Sequence, residues 1–243
     1  ISLGIISLLG ATILVRKTPE SMGLLPDGDA AELTSKEQNP PSSLVTEESW
    51  SLGEAMHTRT FWCFFLAYGF GGIGLNGFLA HMFAWGLDLG TAEEAARLAV
   101  LATAFAAVLS RVVVGPLADR YGKKLFIYIS YAAQIASFGV ALTVGSTQWL
   151  FASAILMGLS YGLVLPLWIS YLGDVFGRAS VGSLAGMVTF GAGIIGGSGA
   201  RIWGWIYDAT GSYSAAFIIS MVMWMVTLVF VWLIRPATKK TTP

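Results

Sequence analysis

AEEAARLAVLATAFAAVLSRVVVGPLADRYGKK, residues 92–124, joins an acidic opening, a long apolar run and a basic close. Its apolar part, 92–114, is near the ~20 residues that carry a helix across ~30 Å of hydrocarbon. Thr91-Ala-Glu-Glu94 has the pattern of a capping box opening that span. Beyond it stands Gly115-Pro-Leu-Ala-Asp119-Arg120-Tyr-Gly122-Lys123-Lys124. Gly115 lets two helices approach closely, and Gly122 permits a tight reversal. Asp119 is a negative charge suited to a helix N-terminus, while Arg120, Lys123 and Lys124 hold the connection at one membrane face. A generic positively charged turn is the bland alternative.

Five further apolar spans flank this one, at 61–84, 125–144, 149–171, 181–204 and 214–234. Barrel strands would be shorter and would alternate, and these do not. Of 243 residues, 55% are apolar, 29 are glycine and only 12% are charged, against about 25% charged in an ordinary soluble domain. A soluble fold of this size cannot hide that much apolar surface. Soluble enzymes, nucleic-acid binders, disordered chains and disulfide scaffolds are thereby excluded, leaving an all-α polytopic membrane protein. The single cysteine, Cys63, supports neither a disulfide framework nor a Cys-based metal site. No metal, organic cofactor or nucleic-acid partner is expected.

Composition also divides the chain. Residues 1–15 are apolar and end at Arg16-Lys17, whereas a signal peptide carries its positive charge first. They are expected to be the truncated end of a membrane helix. Residues 16–60 are expected to form a polar loop, with 51–60 able to make a short helix on the membrane surface. The bundle then occupies 61–234, and 235–243 is a tail. All but three of the 14 basic residues fall in alternate connections or the tail; the exceptions are Arg97, Arg111 and Arg201. The long loop and the C-terminus are therefore expected on the cytoplasmic side.

Charges and polar groups inside spans carry the functional reading. Arg111 is either a functional cation or a residue snorkelling to the nearby headgroups. Arg201, near the opposite membrane face, reads as a snorkelling residue first and as a second anion contact otherwise. Arg97 sits at helical spacing from Glu93 and pairs with that surface. Asn76 and His81 either line a cavity or bond another helix. Tyr68 and Tyr161 are candidate pathway residues, and Pro166 is expected to bend its span. Gly69, Gly71 and Gly74 form a formal G-x-G-x-x-G, but no strand or soluble βαβ unit surrounds it, so no dinucleotide site is read. Trp149, Trp203, Trp205 and Trp232 read as interfacial anchors. Asp174 and Arg178 form a gate pair or are simply solvated.

The segment 115–124 resembles the loop motif of the major facilitator superfamily, G-x-L-a-D-R-x-G-[RK]-[RK], found after the second and eighth of twelve helices. Residues 16–28 and 54–62 look like central-loop segments of bacterial members near the oxalate/formate antiporters and monocarboxylate carriers. The resemblance implies the end of the sixth helix, a central loop and helices seven to twelve, with the N-terminal half of the same carrier missing. In those groups an arginine at the place of Arg111 faces the cavity and pairs with a substrate carboxylate, a task that a forked guanidinium suits. Two departures stand out: Ala107 replaces an aspartate of the animal monocarboxylate carriers, and Phe190 stands where an oxalate antiporter has lysine.

The implied function is alternating-access transport of small organic anions, first of all monocarboxylates. A coupling proton or an exchanged anion is a possible partner, and membrane lipid is the solvent. The departures speak against proton coupling through a carboxylate in this half and against oxalate. The rivals are a carrier of neutral solutes or drugs with Arg111 structural, and a non-transporting receptor or scaffold. The expected location is a bacterial inner membrane.

Overall fold

The computed structural model describes residues 50–143, 147–177 and 181–235. Among them every regular element is a helix: α1 (Leu52–Met56), α2 (Arg59–Asp88), α3 (Glu93–Tyr121), α4 (Lys123–Thr143), α5 (Thr147–Tyr161), α6 (Val164–Phe176), α7 (Val181–Thr210) and α8 (Ser214–Leu233). Six segments are long and apolar enough to cross a membrane, with α5 and α6 together making one, Thr147–Phe176. The expectations for 1–49, for Arg178 and for 236–243 lie outside the described residues.

The helices outrun the apolar spans because hydrogen bonding continues after hydropathy falls. Thus α3 runs through Gly115-Pro-Leu-Ala-Asp-Arg-Tyr121, and α7 reaches Thr210. What looked like a ten-residue connection is mostly the last turns of α3. The reversal itself is made at Gly122, whose φ of +104° favours glycine. The capping box expected at Thr91 is absent. Ala92 is the N-cap and makes no side-chain bond, while Thr91 Oγ1 donates back to the Gly86 carbonyl at 2.6 Å. A capping box does form at Ser51 and Glu54, opening α1.

Small residues set the packing, as expected where lipid supplies no hydrophobic drive between helices. The backbones of α2 and α7 meet at Gly72 and Gly196, and a Cβ on Gly199 would lie 2.0 Å from the Ile73 carbonyl oxygen. The glycines of α2 make room for aromatic rings from other helices: Gly71 for Tyr131, Gly74 for Trp224 and Gly77 for Trp203. Trp203, expected at an interface, is only 1% exposed and donates to Ser220 Oγ at 3.0 Å. It lies inside because Gly77 leaves a slot the size of an indole. Trp149, Trp205 and Trp232 are exposed. Gly115 faces open space among the described residues, so the close approach expected there is not made by them.

Polar contacts tie the bundle together at the α3–α4 turn. Lys123 Nζ pairs with Asp174 at 2.8 Å, and Lys124 Nζ donates to the Ile234 carbonyl beyond α8 at 2.9 Å. Asp174 therefore has a lysine partner on α4. Asp119 makes no ion pair among the described residues. Arg120 lies over the Tyr121 ring, 5.6 Å from its centroid.

Candidate binding cavity

Gly158 of α5 and Gly162 just beyond its end bring α3 close. A Cβ on Gly158 would lie 2.3 Å from the Thr103 carbonyl oxygen, and one on Gly162 would lie 2.3 Å from that of Ala107. Ala107 itself is 2% exposed, so no room exists there for a carboxylate side chain. That contact seats the next turn of α3 against α5, where Ser110 Oγ donates to the Leu159 carbonyl at 2.5 Å.

Arg111 follows in the same turn, and its anchor comes from a break in the neighbouring span. Pro166 has no N–H, so it leaves the carbonyl of Gly162, four residues earlier, without its helical donor. The chain between α5 and α6 turns at Gly162 and Leu163. Arg111 Nε donates to that Gly162 carbonyl at 2.8 Å. The bend expected at Pro166 thus acts by freeing an acceptor. The Nη groups of Arg111 have no partner, and no carboxylate pairs with it, among the described residues.

The guanidinium lies at the wall of a cavity of about 270 Å³. Tyr68 and Asn76 line it from α2, Tyr131 and Gln134 from α4, Tyr161 from α5 and Thr189 from α7. Four of the sequence candidates, Arg111, Asn76, Tyr68 and Tyr161, therefore share one cavity. Asn76 Nδ2 donates to the Gly72 carbonyl one turn back at 2.9 Å, and the Tyr131 hydroxyl accepts from Trp168 Nε1 at 3.2 Å.

Gln134 was not anticipated from the sequence. It is fully buried, and neither amide atom has a hydrogen-bond partner among the described residues. A usable signal existed: Ser130, Gln134 and Ser137 are a polar stripe at helical spacing inside an otherwise apolar span.

The remaining candidates lie elsewhere. His81 does not reach the cavity and instead joins helices. Its Nε2 lies 2.8 Å from the Ala200 carbonyl of α7, and its Nδ1 lies 3.2 Å from the Tyr213 hydroxyl. A carbonyl only accepts, so Nε2 carries the proton and Nδ1 accepts from Tyr213. Burial, with Asp88, Tyr207 and Asp208 nearby, pushes the Tyr213 phenol up to about 12, so it keeps the proton it donates. His81→Phe is expected to lower stability by about 1–2 kcal/mol through two lost hydrogen bonds. The expected readout is a lower Tm with cargo preference unchanged.

Arg201 lies outside the cavity, with its guanidinium 4.8 Å from the centroid of the exposed Trp205 ring. Arg97 pairs with Glu93 on the surface, as its spacing implied. Lys123, Lys124, Asp119, Arg120 and Asp174 belong to the α3–α4 turn and its neighbours, away from the cavity lining.

A six-span helical bundle with a polar cavity between its helices, and a basic glycine turn after its second span, has the build of a membrane carrier. No curated protein matches the chain significantly. A family model for the Major Facilitator Superfamily does match, over residues 60–243, which takes in every membrane span described here. The chain belongs to the Major Facilitator Superfamily and is a multi-pass membrane transporter.

Proposed function

We propose that this transporter carries small organic anions, monocarboxylates first, with Arg111 as the contact for the cargo carboxylate. The observation that supports this most is a cation at the cavity wall, held by one nitrogen and unpaired with any acid among the described residues. A guanidinium anchored through Nε keeps its Nη fork for a carboxylate, which it can grip with two parallel hydrogen bonds. The cavity, at about 270 Å³, sits just below the ~300–1,000 Å³ typical of pockets for drug-sized ligands.

Transport then proceeds by alternating access, the cavity opening first to one side and then to the other as two bundles rock. We take these spans to be one such bundle, working with a further membrane bundle of the same carrier. The exposed apolar side chains of α3 and α7, among them Phe105, Val112, Phe190 and Ile194, suit a lipid or helix environment. The excess of lysine and arginine at the α3–α4 turn supports a cytoplasmic side for it, and the membrane we propose is a bacterial inner membrane. No acidic side chain lines the cavity among the described residues, so exchange, or symport with a proton held elsewhere, fits better than a carboxylate relay here.

The test is a thermal-shift screen of the purified carrier with lactate, formate, oxalate and other carboxylates against neutral sugars. A ligand that binds only the folded state raises Tm. A rise with monocarboxylates alone is expected. A rise with neutral sugars alone would give the cargo to the neutral-solute reading and leave Arg111 a structural anchor.

A further inference from the structure

Among the described residues, Gln134 is the fully buried side chain at the cavity whose polar atoms are left without partners. Its side chain is wholly buried, and its Nε2 and Oε1 both lack partners among the described residues. Leaving a buried polar group unpaired costs more than a typical interhelical hydrogen bond returns in a membrane. Ser137 on the same stripe avoids that cost. Ser137, one turn along, exchanges hydrogen bonds with Ser153 of α5 at 2.9 and 3.1 Å. Gln134 instead sits in the wall of the cavity that also holds Arg111, Tyr131 and Tyr161.

Resting on the anion-carrier reading above, we propose that Gln134 is a specificity-determining contact which reads a hydroxyl group on the cargo. An amide offers a donor and an acceptor side by side. A hydroxyl is the small neutral group that can answer both, because it donates and accepts through one atom. A plain alkyl chain answers neither, and a keto oxygen answers only the donor. The cargo class is therefore a small hydroxy-monocarboxylate, gripped at its carboxylate by Arg111 and at its hydroxyl by Gln134. Gln134 is among the residues that line the cavity.

The test uses matched pairs that differ by one hydroxyl, propionate with lactate and butyrate with 3-hydroxybutyrate, on the full-length carrier. Binding is read by thermal shift and transport by competition for uptake, in wild type, Gln134→Met and Gln134→Leu. Wild type is expected to favour each hydroxy acid by about tenfold or more, as expected of a site whose polar groups stay unpaired with the analogue. Both variants are expected to fold with unchanged or raised Tm, since they remove an unsatisfied buried amide. They are expected to lose the preference, so that the two members of each pair bind alike. Equal affinity for the two members of each pair in wild type overturns the inference, as does a preference that survives in Gln134→Met and Gln134→Leu. Failure of every carboxylate to bind overturns the anion reading itself, and this inference with it.

Discussion

Arg111→Ala is expected to abolish the thermal stabilisation given by carboxylates and to lower their affinity by roughly tenfold to a hundredfold. The range corresponds to about 1.5–3 kcal/mol for hydrogen bonds to a charged group, Arg111 being exposed among the described residues. Arg111→Lys is expected to fall in between. A lysine keeps the charge, but its single ammonium must serve both the Gly162 carbonyl, now bonded by Nε at 2.8 Å, and the cargo. Arg201→Ala is the matched control, because that guanidinium stacks on Trp205 outside the cavity. It is expected to leave carboxylate affinity within about twofold, a surface-substitution effect within ~0.5 kcal/mol. Equal losses in Arg111→Ala and Arg201→Ala, measured by titration calorimetry, would mean that neither residue acts through a direct contact.

The second large effect is on the fold. Gly162→Val drives a side chain into the backbone of α3, where the first added carbon would lie 2.3 Å from the Ala107 carbonyl oxygen and 2.7 Å from its Cα. Overpacking typically costs about 1–3 kcal/mol. Here the struck atoms are backbone and cannot rotate away, so a loss near the top of that range or beyond it is expected. The separation of α3 from α5 also withdraws Arg111 from its anchoring carbonyl, so carboxylate affinity should fall with stability. Gly139→Ala supplies the contrast: nothing lies within 4 Å of its Cβ position. It is expected to be neutral or to stabilise by up to about 1 kcal/mol, the helix-propensity difference between the two residues. Thermal unfolding in detergent separates the two. A Gly162→Val protein as stable as wild type would contradict the close approach.

Span number and helical class were legible because twenty-residue apolar runs have few physical alternatives in a membrane protein. Helix ends were less so. Hydropathy marks where hydrocarbon contact stops, whereas the α3 ladder carries on through Asp119 and Arg120 to Tyr121. The interest of Arg111 was visible as a charge in a span, but its anchor was not. That anchor depends on a residue 51 positions away, whose carbonyl is freed by a proline four residues further on. His81 shows the same limit: lining a cavity and bonding a helix look alike in sequence, and only packing sets its ring against Ala200 and Tyr213. Trp203 follows tryptophan's interfacial habit in sequence, yet the slot opened by Gly77 takes it inside. Gln134 was readable as part of a Ser130–Gln134–Ser137 stripe, but that Ser137 finds a partner on α5 while the Gln134 amide finds none depends on what packs opposite each.

Counterflow of a radiolabelled monocarboxylate into vesicles loaded with the unlabelled acid tests the carrier reading most directly, since it needs both a cargo site and alternating access. The account predicts rapid accumulation with lactate or a similar acid, competed by other monocarboxylates and not by neutral sugars, and absent in Arg111→Ala. Accumulation that persists undiminished in Arg111→Ala, or that sugars compete away, would contradict it.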